Sequence, residues 1–83
     1  MSIDKTIIYY GGIMDKAICN KFGKNLRKFR KARKFTQQKL AELADIEYKY
    51  IQRLEGKNPT AVRIDTIAKL AKALKINPSK LLS

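Results

Sequence analysis

Four residues in the segment DIEYKYIQRLEG, positions 45–56, carry side chains suited to reading patterns of hydrogen-bond donors and acceptors: Tyr48, Lys49, Gln52 and Arg53. If the segment is helical, they fall into stacked pairs four residues apart, Tyr48 with Gln52 and Lys49 with Arg53. With Ile51 pointing inward and about 100° per residue, Leu54 lies about 60° to one side and Glu55 about 40° to the other. Tyr50 sits at the boundary, and the two pairs spread over the opposite face. The chemistry available to that face is recognition of base edges. Arg or Lys donates to guanine O6 and N7, Gln pairs with adenine, and an aromatic ring meets a thymine methyl or a phosphate. A polar surface helix with no ligand presents the same residue types, so this face alone does not separate the two readings.

The balance of charge bears on that choice. Nineteen Lys and Arg stand against seven Asp and Glu, a formal charge of +12. That is far more than solubility requires, and it points to a polyanionic partner. The charge is also uneven: Lys16 to Lys39 holds ten basic residues and no acid, while five of the seven acids fall between Glu42 and Asp65. A basic run is often only a solvated helix face, and a basic stripe is one sign among several of a nucleic-acid binder.

Other chemistries lack their groups. The chain has no histidine and one cysteine, Cys19. It shows no paired inward carboxylates and no glycine-rich phosphate loop, so acid-base and metal catalysis are not expected, nor is any metal or cofactor. A lone cysteine makes no internal disulfide, which suits a reducing cytoplasm. No apolar run approaches the about 20 residues of a membrane span, and the opening MSIDKTIIYYGG has no secretory pattern. Eighty-three residues make one domain.

The elements that must position the recognition segment are all helical in pattern. Ile18, Phe22, Leu26 and Phe29 form a stripe in a first helix between Asp15, its N-cap, and Lys34. Gly23 inside that helix costs about 1 kcal/mol relative to Ala, which signals close approach by a neighbour. Thr36 caps a second, short helix, QQKLAELA, with Leu40, Ala41 and Ala44 inward. Asp45, tolerant of left-handed geometry, and Ile46, an apolar anchor, suit the turn into a third helix over Glu47 to Glu55. Gly56 and Asn58-Pro59 mark its end. Ile64, Ile67, Leu70, Ala71 and Leu74 give a fourth helix, and Ile76 an anchor after it. Asn77 and Pro78 open a fifth, with Leu81 and Leu82 as its apolar contacts. The expected fold is an all-α, five-helix domain over residues 15–83, with a helix-turn-helix as helices two and three.

FGKNLRKFRKARKFTQQKLAELADIEYKYIQRLEG followed by NPTAVRIDTIAKLAKALKINPSKLL resembles the Cro and lambda-repressor-like (XRE-type) helix-turn-helix family. The match runs from about Phe22 to Leu82, nearly three quarters of the chain. It rests on Leu26 with Arg30, Thr36-Gln37, the Ala44 to Ile46 turn, Ile51 with Leu54-Glu55, and IAKLAKAL, in this order and spacing. The resemblance implies an ion pair between Arg30 and Glu55 that serves the fold. It implies base reading from Glu47, Tyr48, Lys49, Gln52 and Arg53. It implies phosphate contacts from Thr36, Gln37, Gln38 and Tyr50, and from Lys57, Asn58 and Thr60 in the following loop.

Two features depart from the family pattern. Asp45 stands in place of a common turn glycine, and Glu47 in place of the usual Ser or Thr at the start of the recognition helix. Near DNA an acid repels phosphates and accepts only from cytosine N4, so Glu47 reads either as a specificity filter or as a purely structural partner of the helix dipole. The pattern says nothing about residues 1–14, expected to be a flexible or loosely docked arm; an arm packed on the bundle and a dimer contact are the other readings. The expected function is sequence-specific binding of double-stranded DNA by a transcriptional regulator, a homodimer on a palindromic site. The rival readings are an antitoxin-type module that engages a protein partner through the arm, and a non-specific nucleic-acid binder.

Overall fold

The Asp15 carboxylate accepts the Ile18 amide at 2.8 Å and so caps the first helix, α1, which runs Lys16–Ala32. The computed structural model describes residues 15–83, and the readings of residues 1–14 lie outside the described residues. Three more helices follow: α2 over Gln37–Ala44, α3 over Tyr48–Glu55 and α4 over Ile64–Leu74. The expected fifth helix is a single 3-10 turn, Pro78–Leu81. Asn77 caps it by accepting the Ser79 amide at 3.0 Å, but only four residues remain for it, too few to propagate an α-helix. The fold is therefore all-α with four α-helices among the described residues.

Three helices stop in the same way. Lys34, Asp45 and Lys75 take left-handed backbone angles, with φ of 59°, 58° and 57°. In each case the next residue's amide reaches back to a carbonyl of the last turn: Phe35 to Arg30 at 3.1 Å, Ile46 to Ala41 at 2.9 Å, Ile76 to Ala71 at 3.0 Å. Phe35, Ile46 and Ile76 then pack against the core. These are Schellman caps with their hydrophobic contact, built without glycine. The apolar residue after each cap fixes where the chain goes next. Gly56, by contrast, ends α3 with extended backbone.

The core is formed by Phe22, Leu26, Leu40, Ile51, Leu54, Leu70, Leu74 and Leu81, all essentially inaccessible. It differs from the expected stripes at three places. In α1 the buried line is Cys19, Phe22, Gly23, Leu26 and Arg30, so Ile18 is 42% exposed and Phe29 only partly covered. The inward direction is set by the approach of α3 at Gly23 and by the Arg30 pair, not by apolar residues alone. Ile64 is 85% exposed, because the loop before α4 buries Val62 in its place. Leu82 is exposed, while Leu81 closes the end of the bundle where the 3-10 turn meets α1 and α4. Asn25 fixes that end, its amide donating to the Leu81 carbonyl at 2.9 Å and the Ser83 carbonyl at 3.2 Å.

Candidate nucleic-acid interface

α3 is eight residues long and buries only Ile51 and Leu54. Tyr48, Lys49, Gln52 and Arg53 are all exposed, and Tyr50 is half-buried against the core. The Gln52 side-chain amide donates to the Tyr48 hydroxyl at 3.2 Å, so the first stacked pair is joined. That bond uses one of two N–H groups, leaving Gln52 an N–H and a carbonyl, the pair an adenine edge takes. Lys49 and Arg53 make no ion pair among the described residues. Glu47 is the N-cap of α3 and not its first residue, and its side chain makes no cap hydrogen bond. Its charge still lies at the positive end of the helix dipole.

Behind this face sits a buried polar network. Arg30 of α1 meets Glu55 of α3 through two bonds, Nε to Oε2 at 2.8 Å and Nη2 to Oε1 at 2.9 Å. The two side chains are 10% and 3% exposed. Arg30 Nη1 donates to the Phe35 carbonyl at 2.7 Å, and Gln37 Nε2 to Glu55 Oε1 at 3.1 Å. The carboxylate thus accepts from three donors, and both buried charges are hydrogen-bonded, the condition under which a buried pair is tolerated. One charge pair therefore holds the ends of α1, α2 and α3 together. Gln37 keeps one N–H and its carbonyl on the surface side of the network.

Thr36 accepts the Lys39 amide at 2.9 Å through its hydroxyl oxygen, and its O–H remains free to donate. Thr36, Gln37 and Gln38, expected on phosphate, line a cleft with Tyr48 and Gln52, expected on bases, whereas Glu47, Lys49, Tyr50, Arg53, Lys57, Asn58 and Thr60 lie outside it. Lys57 and Asn58 are exposed in the loop after α3, while Thr60 is half-buried. Burial, and secondly Asp65, push the Tyr50 hydroxyl above its ordinary pKa against the pull of Arg63. Arg27 was not singled out from the basic run. It lines the cleft with Gln37 and Gln52, and a neighbouring one with Lys24 and Lys57. Its position three residues before Arg30, on the same side of α1, was the available signal. Burial, with Asp15 as second cause, pushes the Cys19 thiol above its usual pKa, opposite to what a nucleophilic thiol needs. Among the described residues no cluster of His, Cys, Asp and Glu has the make-up of a metal site. No helix there is long and apolar enough to cross a membrane.

Comparison with known proteins also finds a helix-turn-helix. The family model for the Cro/C1-type HTH DNA-binding domain matches residues 25–83. Among solved structures, the restriction-modification controller protein C.AhdI from Aeromonas hydrophila is 37% identical, with a TM-score of 0.73 over 78% of this chain and 97% of that one. A hypothetical transcription factor, NHTF from Neisseria, shares the fold at 24% identity, with a TM-score of 0.75 over 83% of this chain and 79% of that one. No match is found among curated proteins. The match to the family model covers well over half of the sequence, and the chain belongs to the Cro/C1-type helix-turn-helix DNA-binding family.

Proposed function

We propose that the protein is a transcriptional regulator that binds double-stranded DNA sequence-specifically, as a homodimer on a palindromic operator, with α3 in the major groove. The observation that carries this reading is the division of α3, which buries Ile51 and Leu54 and leaves Tyr48, Lys49, Gln52 and Arg53 exposed on one side. Those four read base edges, and Glu47 screens the first position, where only a cytosine amino group suits it. Thr36, Gln37, Gln38, Tyr50, Lys57, Asn58 and Thr60 hold the phosphates on either side. The controller C.AhdI, matched over nearly its whole length, supports a regulatory role. One such domain reads few bases, and two copies reading half-sites about 10 bp apart supply the rest.

Alanine substitutions separate base reading from phosphate holding. Arg53→Ala and Lys49→Ala are each expected to cost about 1–3 kcal/mol on the preferred site and to relax base preference there. Lys57→Ala should weaken every sequence alike and lower the salt dependence of binding by about one unit of slope. Titration of fluorescent duplexes that differ at single positions measures both effects. Equal losses on all duplexes from all three variants would remove sequence-specific reading by α3.

A further inference from the structure

We infer that the groove between the C-terminal parts of α2 and α4 docks an acidic amphipathic helix of a protein partner, a role beyond DNA binding. The floor of the groove is apolar, lined by Phe35, Leu43, which is 49% exposed, Ala44 and Ala73. Its rim carries Arg33, Lys69, Lys72 and Lys75 against a single acid, Asp45. None of the three lysines makes an ion pair among the described residues, where the pairs are Arg30 with Glu55 and Arg63 with Asp65. Arg33 spends Nε on the Leu74 carbonyl at 2.9 Å, and its terminal nitrogens make no hydrogen bond there.

The helix dipole explains part of this charge. Lys72 lies in the last turn of α4 and Lys75 at its C-cap, where a cation is favoured. Lys69 lies before the last turn, beyond the reach of that effect, and faces Lys72 three residues on, a spacing at which like charges repel. An anionic occupant converts that repulsion into attraction. A nucleic-acid backbone would meet the lysines and find nothing for Leu43. A helix with carboxylates three and four residues from an apolar side chain meets both the rim and the floor. This groove shares no side chain with the cleft that Gln37, Tyr48 and Gln52 line, so a partner seated in it leaves the DNA-binding face open.

The test is a nuclear magnetic resonance titration of the isotope-labelled full chain with a synthetic helical peptide. The peptide carries glutamates at helical spacing around two leucines, and a scrambled peptide of the same composition is run beside it. Shifts are expected to cluster at Leu43, Lys69, Lys72 and Ala73 for the helical peptide alone. Lys69→Glu combined with Lys72→Glu should weaken binding by about tenfold or more, whereas Lys24→Glu combined with Lys57→Glu should leave it within about twofold. All four lysines are exposed, and circular dichroism confirms that each variant keeps its helices. Equal binding of the scrambled peptide, shifts centred on α3 or α1, indifference to the Lys69 and Lys72 reversals, or no shifts at millimolar peptide would each overturn the proposal.

Discussion

Arg30→Ala is expected to remove about 3–5 kcal/mol of folding stability, the cost of leaving one member of a buried ion pair without its partner. A domain of this length holds roughly 4–12 kcal/mol in all, so the variant should lose about a quarter or more of its stability, and unfold at room temperature at the low end of that range. The size of the effect follows from the geometry. The Glu55 side chain is 3% exposed and receives two of its three hydrogen bonds from Arg30, so the alanine leaves a buried carboxylate with Gln37 as its one side-chain donor. The Phe35 carbonyl loses the Nη1 donor as well, just where α1 turns toward α2. Replacing both charges, with Arg30→Met and Glu55→Leu together, should recover most of the loss, because buried pairs exchanged for apolar side chains of similar volume are often neutral or better. Urea unfolding of the single and double variants measures this. A single variant that loses less than about 1 kcal/mol, the range of an exposed pair, would show that the network does not hold the helices together.

Gly23→Val is expected to cost about 3 kcal/mol, at the upper end of the overpacking range. A Cβ built at Gly23 runs into the Leu54 carbonyl oxygen, with the Leu54 carbonyl carbon and Glu55 Cα close behind. All three are backbone atoms of α3, so no side chain can rotate out of the way. The helix propensity gained on losing glycine, at most about 1 kcal/mol, offsets only a part. Relief requires α3 to move away from α1, which disturbs the Arg30 and Glu55 geometry and the seat of the residues proposed to read bases. Affinity for DNA should therefore fall even when measured on the folded fraction. A variant with unchanged unfolding midpoint and unchanged affinity would show that the two helices have room to spare at this crossing.

Gly23 is also where the sequence was most informative about packing, since a glycine inside a strong helical pattern has few other reasons to be there. The α3 face was equally legible, because two large apolar residues in eight leave little choice of which side is buried. Ile18 and Ile64 both belong to apolar stripes yet lie exposed, Ile64 because Val62 takes the inner place. Periodicity finds a stripe but not which edge of it faces a neighbour, and in α1 the edge is chosen by Gly23 and the Arg30 pair. Asp45 was readable as a left-handed cap. Lys34 and Lys75 were not, since lysine carries no such signal; the apolar Phe35 and Ile76 after them did. The final element looked helical because its caps are those of a helix, and only its four-residue length makes it a 3-10 turn. The donor from Gln37 to Glu55 links residues 18 positions apart and had no local signature at all.

The same network ties α3, proposed to read bases, to Gln37, proposed to hold phosphate. Gln37 anchors on Glu55, Glu55 on Arg30, and Arg30 on the turn that leads into α2, so the helix that carries the side chains proposed for bases and the Gln37 proposed for backbone share one set of bonds. Selection of bound duplexes from a random pool tests the outcome most directly. The reading predicts enrichment of a two-fold symmetric motif, with half-sites separated by about 10 bp or a multiple of it. A bound pool with the composition of the input, or a motif without symmetry, would contradict sequence-specific binding by a homodimer.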